Sequence, residues 1–147
     1  MTQDPFDVAF AEARAAFARG EVPVGAAVVR DGAVIASAGN STREDDDPTA
    51  HAEILAIRAA ARALGSQRLE GFDLYVTLEP CAMCAGAISF ARIRRLYYAA
   101  SDPKGGAVEH GPRFFSQPTC HHAPDVYEGF RASEAAALLR RFFQERR

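Results

Sequence analysis

The sequence predicts a three-layer α/β/α sandwich built on a mixed sheet of about five strands. Three observations predict it. Apolar residues at helical spacing alternate with short β-rich apolar runs. An Asp31-Gly32 pair separates the first two β-rich runs and favours the positive φ angles of a type I′ turn, which makes an antiparallel hairpin. After that hairpin, strands and helices alternate, so parallel right-handed crossovers follow and helices cover both faces of the sheet.

Each element has its own signal. Phe6, Phe10, Ala13 and Phe17 mark a helix over about residues 5–19, followed by Gly20. Residues 22–30 and 34–38 are the hairpin strands, and the polar, acidic stretch 40–47 is a loop. Pro48 suits a helix start because its missing N–H is not needed in the first turn. Ile54, Ile57, Ala61 and Leu64 then form an apolar face that Gly65 ends. Residues 74–78 read as a strand, 81–91 as a helix with Ala85, Ile88 and Ala91 on one side, and 93–100 as a strand. Gly, Pro and His make 101–125 mainly loop, with room for a short helix. Residues 126–130 form a short last strand. Ser133 caps a final helix with Leu138, Leu139, Phe142 and Phe143 on its core face.

A chain of 147 residues with 48% hydrophobic side chains is expected to form one domain with a real core, which excludes disorder as the main state. No apolar run is long enough for a membrane span, and Met1-Thr2-Gln3-Asp4 shows no secretory signal, so a cytoplasmic protein is expected. The formal net charge of -2 argues against a general nucleic-acid binder. The halves differ, however: residues 1–73 carry a net charge of -5 and residues 74–147 one of +3. Sixteen of the 17 basic residues are Arg, which suits bidentate phosphate contact but also follows from genome composition. Three cysteines in a reducing compartment point to metal, catalysis or plain burial rather than disulfides.

Two short motifs carry the chemistry. His51-Ala52-Glu53 and Pro80-Cys81-Ala82-Met83-Cys84 each lie at a predicted helix start. Two thiols three residues apart can face one ion from a first turn, where the helix dipole favours thiolate. Alone, the cysteine pair also reads as a redox pair or half of a zinc ribbon. A ribbon has no second half here, and a redox pair leaves His51 and Glu53 without a role. His51, Cys81 and Cys84 make three protein ligands, and a catalytic zinc keeps its fourth position for water. Glu53 is two residues from His51, so both serve one site only at a helix end. There the carboxylate stands where a general acid/base belongs. Taken by itself, His51-x-Glu53 is an ordinary helix start with an acid in its first turn.

The combination resembles the signature of zinc-dependent nucleobase deaminases. Its flanks, Asp47-Pro-Thr-Ala-His-Ala-Glu53, Thr77-Leu-Glu-Pro-Cys-Ala-Met-Cys-Ala-Gly-Ala-Ile88 and Asp102-Pro-Lys-Gly-Gly106, are similar to those of the bacterial tRNA adenosine deaminase family, as are Glu21-Val-Pro-Val-Gly25 and Phe142-Phe143. The resemblance runs from about residue 5 to the end and is weakest over 107–125. It implies a cytidine-deaminase-like fold, one zinc per chain on His51, Cys81 and Cys84, and Glu53 as acid/base. It implies conversion of adenosine to inosine at the wobble position of an anticodon, chiefly in an arginine tRNA. It implies that Asn40 bonds the flipped nucleoside and that Val22, Pro23 and Leu78 line its pocket. Asp102 and Lys104 match positions that would contact the anticodon loop. Apart from the family, the tail offers Phe143 and Arg146 for stacking and phosphate contact with RNA, against the plainer reading of core-facing Phe with Arg at a helix C-terminus. The resemblance also implies a homodimer and no membrane partner.

Without the family, Asn40 is a loop residue, the apolar trio is core packing, and Asp102 and Lys104 are turn residues. Arg92, Arg94 and Arg95 either extend a basic patch with the tail or are simply solvated. Cys120 reads as an idle thiol and His121-His122 as ordinary loop. Two rival functions stay open: a free guanine or cytosine deaminase with the same four residues, and a structural-zinc RNA-binding module without catalysis. The 102–106 turn and the Arg/Phe tail favour tRNA over the first. The three-ligand count and Glu53 speak against the second.

Overall fold

The computed structural model describes residues 3–146, so Met1, Thr2 and Arg147 lie outside the described residues. Asp4 caps the first helix, α1 (Pro5–Ala18), by accepting the Phe6 N–H at 2.9 Å. Strands β1 (Gly25–Arg30) and β2 (Ala33–Gly39) form the hairpin, and Asp31 and Gly32 both have positive φ, as the turn requires. Helix α2 (Ala52–Leu64), strand β3 (Asp73–Leu78), helix α3 (Ala82–Ala91) and strand β4 (Arg95–Ala100) follow. A 3₁₀ turn (Phe114–Ser116), strand β5 (Asp125–Glu128) and helix α4 (Ala132–Glu145) complete the order.

The sheet order is β2-β1-β3-β4-β5. β1 runs antiparallel to both β2 and β3, whereas β3, β4 and β5 are parallel. Period-2 alternation sorts the strand side chains. Leu74, Val76, Leu96 and Tyr98 enter the larger core with Ala52, Ala56, Ala60 and Ile88 of α2 and α3. Tyr75, Tyr97 and Ala99 face Phe6 and Phe10 of α1 and Ala135 of α4. α1 lies so close to the sheet that a Cβ on Gly25 would sit 1.9 Å from the Ala9 carbonyl oxygen.

Several expectations are corrected in detail. Pro48 does not start α2; residues 48–51 are turn and extended backbone, and His51 is the N-cap. The buried face of α2 is Ala52, Ala56 and Ala60, with Ile57 and Ala61 at its margin and Leu64 exposed. Small side chains win that face because they let the helix approach the sheet closely. β1 begins at Gly25 rather than residue 22, since Pro23 has no N–H for a ladder. Ser133 is not the α4 cap. Arg131 is, in left-handed backbone, with its guanidinium bonded to Asp7 and Glu134 and lying over the Phe10 ring. In the tail Phe142 is buried, but Phe143 is 55% exposed and not part of the core.

The parallel strands point their carboxyl ends the same way. Leu78 and Ala100 are register partners there, and the Glu79 N–H donates to the Ala100 carbonyl at 2.8 Å. Loops leaving adjacent strand ends in an open sheet form the usual place for a ligand.

Candidate metal centre and active-site cavity

His51 and Cys81 are both helix N-caps in extended backbone, and neither side chain caps its own helix. Their donor atoms are therefore free to turn toward each other. His51 Nδ1 lies 3.6 Å from Cys81 Sγ and 3.5 Å from Cys84 Sγ, and all three donor atoms fall within 4.8 Å of one another. A tetrahedral zinc with ordinary bond lengths separates its nitrogen and sulfur ligands by about 3.6 Å, so the residues present fit the ion. The sequence-predicted metal ligands thus converge.

Electrostatics agree with that donor set. The Cys84 thiol beside it is the main influence drawing the Cys81 thiol down to about 4; the His51 ring adds to this against burial. The Cys81 contact and burial push Cys84 up, so the pair shares a proton that a cation would displace. The same Cys81 bond raises His51. Glu53 sits in the first turn of α2, 4% exposed, and burial pushes its carboxyl up to about 7. A carboxyl in that range suits proton transfer in both directions.

These groups open into a cavity of about 280 Å³. His51, Glu53 and Cys81 line it together with Val22, Asn40, Leu78 and Asp102. Pro23 is buried outside the lining, where Val24 takes its place. Sequence reasoning missed Val24, Thr42, Glu79 and Gly105 as lining residues. Glu79 is a neighbour of the quoted Pro-Cys motif, so its position was visible but its role was not. Asn40 is buried, and its amide donates at 3.5 Å to Glu21 and Thr42. Glu21, itself 1% exposed, accepts the Arg43 and Glu44 N–H groups and so holds the 40–47 loop.

The MafB19-like deaminase family matches residues 2–147. A tRNA-specific adenosine deaminase of Agrobacterium fabrum is 69% identical over 141 residues, covering 96% of this chain and 93% of that relative. The chain belongs to the tRNA adenosine deaminase family. A solved structure from work on A-to-I editing by tRNA:A34 deaminases at the wobble position aligns with TM-score 0.91 and 68% identity, covering 92% of this chain and 98% of that one. A guanine deaminase structure from Bacillus subtilis aligns with TM-score 0.65 and 33% identity, covering 96% and 90%.

The deaminase cavity continues outward. Val22, Leu78 and Asp102 also line an adjoining hollow of about 690 Å³ with Lys104, Arg140 and Phe143. The structure thus brings the 102–104 turn and the tail helix to one groove beside the metal site. Arg146 does not join it; its guanidinium lies 4.3 Å from the Phe142 ring centroid. Arg92, Arg94 and Arg95 do not extend the groove either. They sit at the amino end of β4, opposite the cavity, and Arg94 forms a two-pronged pair with Asp73 at 3.1 Å. Cys120 is half-buried and donates to the His122 carbonyl, and the His122 ring bonds the Ile93 carbonyl at 2.7 Å. Among the described residues the one cluster fit for a metal is His51, Cys81 and Cys84. No helix among them is long and apolar enough to cross a membrane.

Proposed function

We propose that this deaminase converts adenosine to inosine at the wobble position of a tRNA anticodon, with an arginine tRNA as its main substrate. The observation that carries the reading is one cavity lined by the buried Glu53 carboxyl, His51 and Cys81, with Cys84 behind them completing the donor cluster. His51, Cys81 and Cys84 would hold a zinc ion, which when bound would acidify the attacking water. Glu53 takes a proton from the attacking water and delivers it to N1 of the base. The water oxygen bonds to C6, the C6–amino bond breaks, and the second water proton leaves with ammonia by way of Glu53. One carboxyl near both water and base serves every transfer.

The remaining residues bind and orient. Asn40 supports the flipped nucleoside by hydrogen bonding, and Val22 and Leu78 hold the ring between apolar walls. Lys104 and Arg140 meet the phosphate backbone, and Phe143 offers a stacking surface for an unpaired base. We assign Arg146 a supporting place at the tail rather than in the groove. A homodimer is part of the same reading. Phe90 on α3 is 78% exposed, an apolar ring that contact with a second copy would cover.

The test is to incubate the protein with an anticodon stem-loop carrying adenosine at the wobble position. A gain of about one dalton at that nucleotide supports the reading. Turnover of free guanine instead would favour the guanine deaminase reading that the Bacillus subtilis likeness supports.

A further inference from the structure

Directly before the Pro80-Cys81 step lies a carboxylate that the chemistry does not use. The Glu79 side chain has no solvent exposure, yet both of its oxygens are fully engaged. Oε1 accepts the Asp102 N–H at 2.9 Å and meets the His110 ring Nδ1 at 2.8 Å. Oε2 accepts the N–H groups of Val108, Glu109 and His110 at 3.1, 2.9 and 3.1 Å. All five partners come from the loop that follows β4. That loop has no helix or strand of its own before the 3₁₀ turn at residue 114. Its backbone donors would otherwise be unpaired in a partly buried wall, so one carboxylate replaces a secondary-structure ladder.

The tether reaches the cavity through Asp102. Its N–H is bonded to Glu79, while its carboxylate Oδ1 accepts the Lys104 and Gly105 N–H groups at 3.1 and 3.0 Å. The turn that carries Asp102, Lys104 and Gly105 is thereby closed at both ends. Space is committed as well: a Cβ on Gly106 would lie 2.5 Å from Glu79 Oε2. Because Glu79 is two residues from Cys81, the same side chain couples the placement of this wall to the metal side of the cavity.

We infer that Glu79 is a positioning residue whose buried carboxylate holds the 102–110 loop in place, and through it the Asp102 and Gly105 edge of the cavity, and so sets how tightly the nucleotide is held. A glutamine cannot replace it. Its amide nitrogen faces N–H donors whichever way the group is turned, so one set of bonds is always lost. The inference builds on the proposed deaminase reaction.

The test compares wild type with Glu79→Gln, Glu79→Asp and the milder His110→Ala, which leaves the four backbone bonds in place. Three quantities are read in zinc-loaded full-length protein: amide hydrogen exchange at residues 102 and 108–110, and KM and kcat on the stem-loop. Glu79→Gln is expected to speed exchange at those four amides and raise KM about tenfold, with kcat falling less than KM rises. Glu79→Asp should recover part of the KM, and His110→Ala should raise it about twofold. A general loss of folding would instead speed exchange throughout and strip zinc. If Glu79→Gln cannot be made in folded form, Glu79→Asp carries the test, with faster exchange at the four amides and a raised KM expected. Unchanged exchange at the four amides overturns the inference, as does faster exchange with unchanged KM. Wild-type protein that makes no inosine sinks the substrate reading only, and the exchange pattern then decides this one.

Discussion

The metal side of the cavity and its Asp102 and Gly105 edge are held by different means. On the metal side, four side chains project from the first turns of α2 and α3, and two short sequence segments supply all of them. Elsewhere the lining includes Asp102 and Gly105, which belong to a loop whose backbone is gathered around one carboxylate some two dozen residues upstream. Helix ends place side chains by local geometry, so changes there act on chemistry. A loop held from outside can shift without unfolding, so changes there act on binding.

The largest effect expected on the metal side is metal removal. Chelation should cut inosine formation on the order of 10³-fold or more, and zinc should restore it. The chelated protein should also melt lower, because binding free energy is stability; equal melting with and without chelator would mean that the three donors hold no ion. Next is Glu53→Ala. Turnover should fall roughly 10²- to 10⁴-fold while zinc content stays near one per chain. Full activity in that variant would remove Glu53 from the acid/base role and leave the metal side with no proton carrier.

On the binding side, Phe143→Ala should weaken stem-loop binding by roughly 1–3 kcal/mol if a base stacks there. Its ring is more than half exposed, so the melting temperature should barely move. A drop in stability without a change in binding would return Phe143 to the core face that its helical spacing first predicts. The smallest effect concerns the turn before His51. The Thr49 hydroxyl and N–H bond Asp47 and hold its carboxyl below the ordinary value. A lowered carboxyl contributes stability above its unfolded pKa of roughly 4, and that contribution is lost as pH falls through the lower folded value. Asp47→Asn should therefore flatten the acid end of the melting-temperature profile slightly and leave pH 7 turnover nearly intact.

Legibility followed the same division. Motif spacing brought His51, Glu53, Cys81 and Cys84 to the starts of two helices, because a metal needs side chains in a set order, but it placed the α2 start early, at Pro48 rather than Ala52. It misplaced the buried stripe of α2, since Ile54 and Leu64 are more apolar than Ala52 and Ala56 but too bulky for close approach to the sheet. It placed Ser133 as a cap where Arg131 holds the position through contacts to α1. It missed Glu79 because an acid beside a Pro-Cys motif carries no sign of five partners from one distant loop.

The sequence by itself determined the order of elements, the hairpin turn and the mixed sheet, and the resemblance of its two motifs picked out His51, Glu53, Cys81 and Cys84. Those follow from periodicity, turn chemistry and ligand spacing, all of which act over a few neighbouring residues. Only the tertiary structure decided which helix faces are buried, that Arg92, Arg94 and Arg95 stand away from the groove, and that Glu21 and Glu79 each hold one loop of the cavity. Those depend on which strand ends meet and how closely layers approach, and burial gives a carboxylate its partners only after the chain has closed around it.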